Sequence, residues 1–161
     1  MAHTILITLH AVAGTVALLA GAVAIRGRAL FAAYLWSLVA MVVFLLAATV
    51  VAWAGLDTAT RVLFTAFAVL GLVMVWRARQ AGRLRPARSR PPSSRYVAHV
   101  GFTLVALFDA FVVITVLNSG APVWLVVAAG LAVAVAGHFV LTAVARKITE
   151  AAEPGTAEPA R

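Results

Sequence analysis

The chain has 161 residues, of which 64% are apolar and 11% charged, with a mean hydropathy of +1.05 and a formal net charge of +8. A water-soluble domain of this length carries about a quarter charged residues and under half apolar ones, so a soluble enzyme and a disordered tail protein are excluded. The absence of cysteine excludes a secreted disulfide scaffold, and the surplus apolar surface must face hydrocarbon, which makes this an integral membrane protein.

A spanning helix needs about 20 predominantly apolar residues to cross roughly 30 Å of hydrocarbon. The first stretch that qualifies runs over 5–25. No Lys or Arg precedes it and Arg26 and Arg28 follow it, the reverse of a signal peptide. It carries His10 in its first half and a row of small residues, Ala13, Gly14, Ala17, Gly21 and Ala24, which suit close helix packing in lipid. The second span covers 31–54, with Tyr34 and Trp36 about one turn inside its start and Trp53 at its far end. Asp57 is placed to cap the next helix, with Arg61 one turn later at the pairing distance i+4.

The third span covers 58–76 and is followed by a basic stretch over 77–95 that holds seven arginines, Pro and Ser but no acid. Such a composition buries too little apolar surface to order itself, so a flexible linker is expected. Arg83, Arg85, Arg88 and Arg90 within it are candidates for binding anionic lipid headgroups, at roughly 1 kcal/mol per cation. No aromatic residues interleave with them, which argues against nucleic acid as a partner. The fourth span, 97–117, begins near His99 and holds Asp109 close to its middle. The fifth, 122–144, carries the small residues Gly130, Ala134 and Gly137 and also His138. The membrane domain is expected over 1–147 and a disordered tail over 148–161.

The fold class expected is therefore an all-α bundle of five transmembrane helices. Barrel strands are shorter and alternate apolar with polar residues, a pattern absent here. Lys and Arg in short loops stay on the cytoplasmic side. Every cation except Arg61 falls in the first loop, the third loop or after the last helix, so the N-terminus is expected outside and the C-terminus in the cytoplasm. A missed or extra helix would scatter these loops over both faces. Trp53 and Trp124 then mark the outer interface, and Trp76 and Tyr96 the inner one.

Leu9-His10, Gly14, Ala17-Leu18-Leu19 and Gly21 form an L-H-x-x-x-G-x-x-A-L-L-x-G run that resembles the start of the bacterial membrane family catalogued as domain of unknown function 2306. Arg28 and Tyr34 match a second string of that family, with Gly27 standing in place of its His and Phe31 in place of its Gly. Arg95, His99, Ala106 and Ala110-Phe111 are similar to a third string, in which Asp109 replaces the usual Thr, and Pro122 and Trp124 resemble the start of its last helix. The resemblance implies a multi-helix membrane fold and assigns no activity. The substitution at Gly27 removes one histidine from any haem or metal set that the family's full complement would supply.

Ionisable residues inside a membrane are functional candidates by default, which singles out Asp109, His10, His99 and His138. They match no catalytic constellation: HExxH, a P-loop, a nucleophile elbow and a pair of intramembrane carboxylates are all missing. The leading expectation is a non-enzymatic protein of the cytoplasmic membrane that binds within its bundle or assists a membrane partner, with itself as one such partner. One alternative is a b-type haem protein with His99 and His138, both at inner-leaflet depth, as axial ligands. Another is a small proton-linked carrier. Asp109 near midplane must be neutral or partnered, and His10 lies within about three residues of its depth, roughly 4.5 Å. The similar starts His10–Leu18 and His99–Leu107, entering from opposite faces, hint at an inverted repeat.

Overall fold

The computed structural model describes residues 1–27, 29–86 and 92–152, with backbone alone at 59, 151 and 152. The order is α1 (Ala2–Ala24), α2 (Phe31–Ala52), a 3-10 turn (Trp53–Gly55), α3 (Thr58–Arg83), α4 (Ser94–Asn118) and α5 (Val123–Ala152). All five α-helices are long and apolar enough to cross a membrane, and no strand occurs among the described residues. The helices run alternately up and down. Helices α1 to α4 close a ring, α1 on α2, α2 on α3, α3 on α4 and α4 on α1, while α5 packs chiefly on α4.

The loop between α1 and α2, that between α3 and α4, and the C-terminal end of α5 lie together at what is here termed the basic end. The core sits in that half of the bundle and is built by setting large side chains against small ones, as apolar helices in lipid require. On α2, Phe31, Tyr34, Leu38, Met41 and Val42 recur at helical spacing and are buried. They face Ala17, Ala20, Gly21 and Ala24 of α1 and Gly71, Ala78 and Ala81 of α3. At Gly21 a Cβ would meet Leu104 Cδ2 at 2.8 Å and the Tyr34 ring at 2.9 Å, and at Gly71 it would meet Val42 at 2.9 Å. Towards the other end the helices turn mostly exposed apolar side chains outward, and α5 buries little beyond Val126 and Gly130.

The small-residue rows of the first and fifth helices do not meet each other. Gly14 faces Met41 of α2 and Gly21 faces α2 and α4, whereas Gly130 and Gly137 face Val113 and Val105 of α4. Both rows thus serve packing within the chain.

Three boundaries correct the sequence expectations. Helix α3 does not stop at Trp76 but runs seven residues further, to Arg83. The row Gly71, Met74, Val75, Ala78 and Ala81 stays buried past the first cations, so packing holds helical a segment that composition alone marks as linker. Helix α4 starts three residues before 97, where the Ser93 hydroxyl accepts from the Tyr96 amide at 3.3 Å. Helix α5 carries through 148–152, where a disordered tail is expected, helped by Ile148 packing against the core. The rest of the expected tail, 153–161, and the linker residues 87–91 lie outside the described residues.

Candidate functional site

The chemistry-bearing side chains gather at the basic end. Because α3 continues past Trp76, Arg77, Arg79 and Arg83 ride on a helix instead of a loose chain. The Arg77 guanidinium lies 4.4 Å over the Phe102 ring of α4, and Arg85, beyond the helix end, folds back to 5.0 Å over Phe31. Each such contact is worth about 0.5–1 kcal/mol at an exposed site and fixes the direction of a flexible cation. Phe31 in turn packs edge-on against Tyr34 at 5.6 Å and near Tyr96 at 6.2 Å, so an aromatic cluster closes the bundle beneath the arginines. Arg26, Arg79, Arg83, Arg95, Arg146 and Lys147 are exposed around this rim. Among the described residues the only acid at this end is Glu150, which pairs with Arg146 at 3.4 Å across one helical turn. Of the four arginines expected to bind headgroups, Arg83 and Arg85 thus stand on the rim. Arg88 and Arg90, like Arg28, lie outside the described residues.

Tyr96 stands at the basic end, in the first turn of α4, but turned into the bundle. It is fully buried, and its hydroxyl donates to the carbonyls of Ala24 at 2.6 Å and Gly27 at 3.0 Å. These carbonyls lie at and just past the end of α1, where that of Ala24 also accepts from the Gly27 amide at 3.0 Å. Trp53, Trp124 and Trp76 are exposed, as side chains of an interfacial belt are.

The intramembrane polar residues do not assemble into a constellation. His10 Nδ1 lies 2.9 Å from the Met41 carbonyl of α2, and no hydrogen bond or ion pair joins it to Asp109. Asp109 turns instead towards α5, with Oδ1 buried without a hydrogen bond against the bare backbone of Gly130. The two share a depth, but their side chains belong to different helix contacts, so the expected proton-sharing pair is corrected.

His99 and His138 are also apart. Gly101 of α4 faces Leu141, and Gly137 of α5 faces Val105; this register puts His138 level with residue 104, five residues or about 7.5 Å from His99. Val105 fills the contact between the helices at the level of Gly137, and His138 is exposed beside Phe139. The pair therefore does not face a common haem site. No group of three or more His, Cys, Asp or Glu able to hold a metal ion occurs among the described residues. His99 Nδ1 is buried without a hydrogen bond.

Hydroxyls within the spans satisfy their own helices: Thr8, Thr15, Thr49, Thr65, Thr103, Thr115 and Thr142 each donate to the carbonyl four residues back. Asp57 caps α3 as the sequence predicts, accepting from the Thr60 amide at 2.9 Å and the Thr60 hydroxyl at 2.8 Å. No family model, curated protein or solved structure matches the chain.

Proposed function

We propose that this is a non-enzymatic protein of the cytoplasmic membrane whose basic end faces the cytoplasm and gathers anionic lipid headgroups. The observation that carries the reading is the helical extension of α3 to Arg83, which makes a rigid rim of cations almost free of acids. Holding Arg77 and Arg85 against aromatic rings lowers the conformational entropy that a headgroup would otherwise remove on binding. The cation distribution supports the sidedness. Seven threonine hydroxyls are spent on helix carbonyls, and His10 and Asp109 stand apart, which favours binding over catalysis.

The test is to reconstitute the full chain in bilayers of mixed phosphatidylglycerol and phosphatidylcholine, extract it with its first lipid shell, and weigh that shell. Enrichment in phosphatidylglycerol supports the reading, and a shell of bulk composition overturns it.

A further inference from the structure

Among the described residues Arg61 is the single arginine or lysine at the end opposite the rim, and neither the loop-charge pattern nor the rim explains it. It stands one turn into α3 at the head of a shallow, open groove of about 740 Å³. It follows the outward face of α3 from Thr58 to Val73, where Val62, Ala66 and Val69 stand exposed, with Trp53 at its mouth. That is a rise of 15 steps of helix, about 22 Å, longer than the ~15 Å thickness of one leaflet's hydrocarbon. The lining is almost wholly apolar, so the groove joins an apolar surface to one cation at interface depth.

The state of that cation is informative. The guanidinium lies 5.5 Å over the Trp53 ring, and its Nε is buried yet makes no hydrogen bond. A buried donor of this kind calls for an acceptor. The Asp57 carboxylate, one turn earlier, is engaged by the Thr60 amide and hydroxyl.

We infer that the groove is a binding site for one glycerophospholipid, its phosphodiester on the Arg61 guanidinium and an acyl chain along Val62, Ala66, Val69 and Val73. A guanidinium presents parallel donors matched to phosphate oxygens, and the exposed apolar row below it gives one acyl chain a continuous surface to lie along. The site is separate from the basic rim, occupies the opposite leaflet, and depends on chain and phosphate together.

Native mass spectrometry of the full chain in mild detergent tests it, with three probes: palmitoyl-oleoyl phosphatidylglycerol, the diacylglycerol with the same chains, and glycerophosphoglycerol. The wild-type chain is expected to retain one phospholipid about tenfold more strongly than either partial probe, the worth of one charge-assisted hydrogen bond. Arg61→Gln should abolish the preference of phospholipid over diacylglycerol, and Arg61→Lys should restore part of it. Val69→Trp, at an exposed position midway along the chain's path, should weaken both lipids and tests the site even if Arg61→Gln does not fold. Equal retention of phospholipid and diacylglycerol by the wild type would overturn the inference. So would unchanged retention in Val69→Trp, loss of retention on changing Arg79 and Arg83 instead, or a dimer mass that Val69→Trp abolishes, which would make the occupant a second copy.

Discussion

The Tyr96 hydroxyl donates to the Ala24 carbonyl at 2.6 Å, fastening the first turn of α4 to the last residue of α1 across 72 positions of sequence. Tyr34, equally buried and a helix away, closes no hydrogen bond with its hydroxyl, although Thr103 lies beside it. The two tyrosines form a matched pair. Tyr96→Phe should lower stability by about 1 kcal/mol, since the buried bond to the Ala24 carbonyl and the half-buried one to Gly27 are both lost. Tyr34→Phe should be neutral or stabilising. Reversible unfolding in mixed detergent micelles reads both, and equal losses would contradict the clamp.

Gly21 marks the closest approach of α1 to α2 and α4. Gly21→Val must displace the Tyr34 ring, which is fully buried and cannot swing aside. Overpacking of this kind costs about 1–3 kcal/mol. Gly55, with nothing within 4 Å of a Cβ, is the control, and Gly55→Ala should stay within about 0.5 kcal/mol of wild type. The same unfolding measurement compares them, and a tolerated Gly21→Val would mean that the core is not packed as described.

Asp109 places a carboxyl oxygen against Gly130 with no donor to meet it. Removing the carboxyl should therefore stabilise the bundle: Asp109→Leu is expected to raise the unfolding free energy by about 1–3 kcal/mol in lipid or detergent. His10 bonds to α2, so Asp109→Asn and His10→Gln should add within about 0.5 kcal/mol in the double mutant. A strong coupling between them would restore the proton-sharing pair.

The number and rough extent of the helices are legible in the sequence because length and hydropathy alone decide what can span hydrocarbon. Helix ends are less so. The first cation after Trp76 looks like the edge of a helix, yet Ala78 and Ala81 continue the buried row of α3 and keep the chain helical to Arg83. The depth of His10 and Asp109 can be counted along their helices, whereas the direction each side chain faces depends on how α1 and α4 are rotated against their neighbours. Pattern alone does not encode that rotation when apolar residues surround every helix. The role of Tyr96 was invisible for a related reason, since its acceptors are backbone carbonyls 69 and 72 residues away. Arg61 is a signal that the sequence shows plainly, as a candidate partner of Asp57, whereas its stacking over Trp53 appears only in the structure.

The proposed sidedness carries its own test. A reporter active only outside the cytoplasm should work when fused after Gly55 or Ser119, at the end opposite the rim, and fail after Arg83. Activity after Arg83 would reverse the orientation and place the rim on the wrong face for the proposed role.

The most direct measurement of headgroup binding is the thermal shift that phosphatidylglycerol produces in the detergent-solubilised chain, compared between wild type and Arg79→Gln/Arg83→Gln. Both residues are exposed, so the substitutions should leave the bundle intact. At low salt the lipid should stabilise wild type more than the double mutant. The difference should be about 2 kcal/mol for two cations, fading as ionic strength shortens the screening length. Equal shifts in the two proteins, or a shift indifferent to salt, would contradict the account.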